Sequence, residues 1–299
     1  MMSGRLARGW AMAKASLSVL KRCPRLAVFP IVSGAVFLFV AGLIVLSLLP
    51  QAHLLYPITG PIWDKLGTTD AGQIWFYAAA AVVIYLLAVI GLFFNVALVH
   101  CALRCHAGQD PSVREGIAAA MARLPQILGW ALIAATVGVL LSVVQGFLRD
   151  KLGFLGSLVG GLFEFGWATV TYFVLPVLAA EGVGPIAALR RSSSILKSKW
   201  GESLAGEARF GLLGILFFLQ AALLFGIGLA IALNYGAGAM AGLGPVLMAL
   251  GVAYAVATMI VLQALNTIFQ AGLYLYATTG QVPPSLDARM LESAFRAKK

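Results

Sequence analysis

The sequence predicts an all-α fold, a single polytopic membrane domain of six transmembrane helices joined by amphipathic interfacial helices. Three observations carry that prediction. Hydrophobic residues make up 61% of the chain and charged residues only 11%, where soluble domains carry about 25% charged residues. Six apolar stretches reach the roughly 20 residues needed to cross a bilayer core of about 30 Å at 1.5 Å per residue. The cations gather in alternate connections between those stretches.

The apolar stretches run from Ala27 to Leu49, Ile74 to Val99, Ile127 to Leu148, Phe154 to Ala180, Phe210 to Leu233 and Pro245 to Tyr276. They are too long and too uniformly apolar for tilted barrel strands, so helices are the expected spanning form. Of the 21 lysines and arginines, eighteen fall in four places: the N-terminal arm, the segment Arg104 to Arg123, the segment Arg190 to Arg209 and the C-terminal tail. The other connections hold only Lys65, Arg149 and Lys151. Lys and Arg beside spanning segments are retained in the cytoplasm, so both termini are expected there, in a bacterial inner membrane with the N-terminus retained. The same asymmetry accounts for the net charge of +10 without nucleic acid as a partner. Anionic lipid headgroups are the expected counterpart. Cys23, Cys101 and Cys105 all map to this cation-rich side, where thiols stay reduced, and no disulfide is expected.

A motif recurs after each even-numbered span: "GQDP" at Gly108 to Pro111, "GVGP" at Gly182 to Pro185 and "GQVP" at Gly280 to Pro283. Each opens an amphipathic stretch. In the first, Asp110 is the expected cap and Pro111 the first helical residue, with Val113, Ile117, Met121 and Leu124 sharing a face. In the second, Ile186, Leu189, Leu196 and Trp200 make one stripe, flanked by Arg190, Arg191, Lys197 and Lys199 as headgroup contacts. The N-terminal arm repeats the pattern with Leu6, Trp10, Ala13, Leu17 and Leu20 before Pro24. The expected unit is an interfacial helix followed by a membrane hairpin, three times over, at about residues 4–106, 107–181 and 182–279, with an amphipathic tail over 280–299. Solvated loops carrying retained cations are the alternative.

The stretches "RGWAMAKASLSVLKRCPRLAVFPIVSG", "FFNVALVHCALRCHAGQDPSVREGI", "RLPQILGWALIAATVG" and "LPVLAAEGVGPIAALRRSSSILKSKWGE" resemble the DUF6159 family of bacterial multipass membrane proteins, over about Arg8 to Gly201. The stretch Gly182 to Trp200 is more distantly similar to the membrane domain found beside glycerophosphodiester phosphodiesterases. The resemblance implies a membrane fold and an inner-membrane location. It implies no activity, because the family is one of unknown function and no phosphodiesterase domain is attached.

Polar groups inside the apolar stretches are the functional candidates. Glu164, the one acidic residue within a span, reads either as a proton or cation site or as a neutral carboxyl bonded to Trp167 or a Thr. Gln263, Asn266, Gln270 and Tyr274 share one face of the sixth span, which packs on neighbouring helices or lines a wet cavity. Asn95 and Asn266 precede their Gly-x-x-Pro turns by 13 and 14 residues. Binding sites of transporters often lie near the midplane between internal repeats, so Asn95, Gln263, Asn266 and Gln270 are the expected ligand site. Pro176 is positioned to kink the fourth span. Small residues along "GLLGILFF" and "GAGAMAGLG" suit close helix approach.

"HCALRCH", His100 to His106, lacks the second ligand pair of a structural zinc site, so a helix end with no metal is the expected reading. Ser192 to Ser194 read as a solvated helix face ahead of a phosphosite. His53 stands ten or more residues from Asp64 and Asp70, with no hydrolase pattern around it. No nucleophile elbow, phosphate loop or zinc-protease helix is present, so no catalytic residues and no cofactor are expected. Two function classes remain. One binds or conducts a lipid or small amphiphile between spans two and six. The other is a structural or regulatory partner of a membrane component, or of a second copy of itself.

Overall fold

The computed structural model describes residues 14–48, 70–200, 208–234 and 242–280. Among the described residues every regular element is helical. Leu6, Trp10 and Ala13 of the first amphipathic stripe, His53, Asp64, Lys65 and the tail beyond Gly280 lie outside the described residues, as do the side chains of Lys199 and Trp200.

Helix α1 (Lys14–Arg22) stops ahead of Pro24, whose ring and missing N–H cannot continue it. The chain bends by 109° there, passes through a 3-10 turn at Pro24–Ala27, and enters α2 (Val28–Leu48). Helix α3 (Asp70–His106) has 37 residues and takes "HCALRCH" into its last two turns. Helices α4 (Val113–Ala122) and α5 (Leu124–Leu152) follow. The fourth apolar run is divided into α6 (Phe154–Thr171) and α7 (Val174–Glu181). Helices α8 (Pro185–Trp200), α9 (Ala208–Asn234) and α10 (Leu243–Thr279) complete the fold. Five helices are long and apolar enough to cross a membrane, six when α1 and the bent segment Pro24–Val40 count as one span.

The glycines of the three Gly-x-x-Pro turns, Gly108, Gly182 and Gly280, have φ of 83°, 63° and 71°. This left-handed geometry ends a helix and suits a residue without Cβ. The first turn differs from expectation in its cap. Ser112 Oγ accepts from the Glu115 backbone N–H at 3.2 Å, so α4 begins at Val113, while Asp110 pairs with Arg25 at 3.2 Å. Ser112 and Glu115 have the spacing of a capping box, the signal that locates this start.

Helix α3 is the hub, in contact with α2, α4, α5, α7 and α10. Helix α9 packs mainly along α10. A Cβ on Gly228 of α9 would come 2.7 Å from the Gly244 carbonyl oxygen of α10, so the two backbones meet through glycine. Gly244 belongs to "GAGAMAGLG" as expected, whereas Gly214 of "GLLGILFF" makes only ordinary contact with Leu262 at 3.5 Å.

Both buried clusters lie toward the cation-rich end, around Leu26, Phe29, Val96, Ile127, Phe173, Leu178, Ile268 and Leu273. Farther along the spans, large apolar side chains face outward, with Trp75, Phe154 and Leu233 all more than 70% exposed. An outer surface of that kind suits lipid rather than water.

Candidate functional site

The residues of the expected deep site stand in different surroundings. Asn95 meets span six through Thr267, whose Oγ1 donates to Asn95 Oδ1 at 3.4 Å, and Asn95 Nδ2 donates to the Gly91 carbonyl at 3.1 Å. Gln270 turns toward α7 and donates through Nε2 to the Tyr172 carbonyl. Gln263 and Asn266, expected to shun lipid, are exposed on the outer face of α10. Glu164 is likewise exposed, and neither Trp167 nor a Thr is bonded to its carboxyl. The stripe keeps to one face, since eleven residues make about three turns of a 3.6-residue helix, but burial falls along it from Tyr274, inside the packed end, to Gln263, beyond it.

Gln270 has a specific backbone task. Pro176 lacks the N–H that would bond the carbonyl four residues earlier, that of Tyr172, and the helix breaks between Thr171 and Val174. Gln270 supplies the missing donor. Ser192 meets the other freed groups: its Oγ donates to the Val170 carbonyl at 2.6 Å and accepts from Phe173 N–H at 3.1 Å. Ser192 is fully buried, so the expected solvated serine face is corrected at this residue, while Ser194 is exposed. The proline four residues after Tyr172 was the sequence signal for a carbonyl in need of a partner.

Toward the cation-rich end, side chains tie the elements together. Tyr274 of α10 donates to Glu181 Oε1 at 2.9 Å, and Arg191 Nε of α8 reaches the same oxygen at 3.0 Å. His106 Nε2 lies 3.0 Å from the Ile268 carbonyl. Of the expected headgroup cations, Arg191 is therefore committed to Glu181, while Arg190 and Lys197 are exposed. The expectation of three free thiols is corrected. Cys23 and Cys105 are joined by a disulfide with an S–S distance of 2.07 Å, and Cys101 is free and buried. The bend after α1 carries Cys23 back against the end of α3, a tertiary approach that residue spacing does not disclose.

Between α3, α4, α7 and α10 lies a cleft of about 520 Å³. His100 and Arg104, one turn apart on α3, line it together with Arg123, Gln109 and Tyr274; Leu103, Leu275 and several alanines form its apolar wall. Arg104 is shared with Glu115 Oε2 at 3.0 Å and Gln109 Oε1 at 2.7 Å. Arg123 is half-buried. Its guanidinium lies against Gly182 so closely that any Cβ there would overlap it. Sequence alone does not mark Arg104 and Arg123 as site residues, because a cation near a span end carries the same signal whether it faces headgroups or a cleft, and His100 stands out only within the "HCALRCH" motif, read there as a helix end without metal.

An all-helical chain with the spans of a multipass membrane protein, closed at one end around a cationic cleft, is the class that fold and site define. Over residues 76–283 the chain matches the model of a family of unknown function, DUF6159, and it belongs to that family. The match takes in the last two apolar runs, past Gly201 where the expected resemblance weakens, and begins after the first run, Ala27 to Leu49, which it does not cover. No curated protein and no solved structure matches the chain significantly.

Proposed function

We propose that this chain is a non-enzymatic integral protein of a bacterial inner membrane, with both termini cytoplasmic, that binds or conducts a lipid or small amphiphile. The observation that carries the reading is the cleft, which sets an apolar wall beside two arginines at the cation-rich end, where positive-inside sorting would place headgroups. Its volume lies in the range of small-molecule sites. The deep polar residues take a lesser part in this reading, since Asn95 and Gln270 are occupied in holding helices together. Exposed Ile117 and Met121 on α4 and Ile186 on α8, beside Arg190 and Lys197, support contact of these helices with the interface. The matching left-handed glycines support the three-unit organisation. A lipid inventory of the purified protein by mass spectrometry tests the function: one enriched class is expected, and a composition equal to that of the bulk membrane counts against it.

Glu164 favours a second reading, that of a partner subunit or homo-oligomer. It lies about ten residues into the spanning run from Phe154 and faces outward. An ionisable group facing lipid at that depth costs at least about 2.5 kcal/mol on insertion scales, which a neighbouring polar surface relieves. Cross-linking from a photoreactive residue at position 164 in native membranes would capture such a neighbour, and lipid adducts alone would remove this reading.

A further inference from the structure

We infer that the cleft recognises a phosphate group, held in the fork of Arg123 with His100 and Arg104 beside it; this deepens the amphiphile reading and rests on it for the location of the site. The Arg123 guanidinium makes no hydrogen bond or ion pair with any described residue. A half-buried guanidinium without a counterion is unfavourable and cannot shed its proton. Arg104, by contrast, already has Glu115. No carboxylate is among the residues lining the cleft; Glu115 and Glu181 stand behind the wall, engaged by Arg104 and Tyr274, so Arg123 is the cation left for a bound anion.

Phosphate suits this geometry better than a point anion. Arg presents paired N–H donors that match two phosphate oxygens, whereas Lys offers only a compact charge. His100, one helical turn before Arg104, adds a ring nitrogen on the same wall. The seat of the fork is set by Gly182, where any side chain would displace the guanidinium. The cleft of about 520 Å³ accommodates more than the anion, and Leu103 and Leu275 offer its substituent an apolar surface. The phosphate can belong to a phospholipid headgroup or to a soluble phosphate or its ester.

The test uses full-length protein in detergent, with phosphatidylglycerol or dioleoylglycerol added at equal concentration and retention read by native mass spectrometry. A second arm titrates inorganic phosphate calorimetrically into lipid-free protein. The lipid source predicts retention of phosphatidylglycerol over dioleoylglycerol, and a loss of about tenfold in Arg123→Gln, the order expected for one charge-assisted hydrogen-bonding group. Arg123→Lys should recover part of that loss, and it stands as the test variant if Arg123→Gln fails to fold. Arg149→Ala, at the opposite end of α5, should behave as wild type. Phosphate binding that depends on Arg123, without retention of phosphatidylglycerol, would assign a soluble source; it keeps the phosphate site and overturns the lipid reading. Retention of both lipids alike, unaffected at Arg123, keeps the amphiphile reading and overturns the phosphate inference. Binding in neither arm overturns both.

Discussion

Pro176 shows how a single residue dictates the chemistry of its neighbours. By withholding an N–H it leaves the Tyr172 carbonyl open within an apolar surrounding, and Gln270 closes it from another span. Gln270→Leu should therefore destabilise the protein by about 1–3 kcal/mol, the penalty for a buried acceptor left unpaired. Thermal unfolding in detergent measures it. In the double variant Pro176→Ala with Gln270→Leu, the restored N–H can serve Tyr172 locally, and the loss should shrink. An unchanged loss in the double variant would refute the pairing. Ser192→Ala removes a donor and an acceptor at the same break, so it should cost at least as much, although its neighbour Ser194→Ala should be silent. That Gln270 is a packing residue was legible in the sequence as one of two options. Its partner was not, since hydropathy marks polarity and carries no address.

Helix α4 makes the corresponding point for an element. Its apolar stripe was readable, yet Ile117 and Met121 point outward and the helix docks through Gly116 and Ala120 instead. A Cβ on Gly116 would come 2.5 Å from Phe29 Cζ and 2.7 Å from Cys101 Sγ. Gly116→Val should thus lift α4 from α3, read as faster hydrogen exchange over residues 113–122, while Met121→Ala leaves that exchange as it was. In water the apolar face of a helix turns inward, but beside lipid small residues pack and large apolar ones face out. For this reason the spans and the three Gly-x-x-Pro turns were legible, whereas which side of each helix met its neighbours was not. Glu164 and Asn266 follow the same logic: their polarity argued for the interior, and the helix rotation set by packing put them outside.

On the scale of the whole molecule, packing is concentrated at one end, where α1, the ends of α3 and α10, and the short helices α4 and α7 converge. The cleft is a product of that convergence. Four separate elements contribute its lining, so no local stretch of sequence contains it. The disulfide spans 82 residues, and a cross-link over such a length stabilises by roughly 4 kcal/mol in the chain-entropy view. Alkylation of denatured, unreduced protein should label Cys101 alone, with two further labels after reduction. Three labels without reduction would show Cys23 and Cys105 to be unpaired.

The position of that bond makes it a reporter of orientation. It lies at the end of the molecule where the arginines collect, and those are sorted toward the compartment whose glutathione keeps thiols reduced. Acid-quenched cells, trapped with a thiol reagent before lysis, would reveal which influence governs. Free Cys23 and Cys105 in the living cell would agree with an inward-facing arginine end and a bond formed only after extraction. An intact bond would turn the whole helical assembly over in its bilayer.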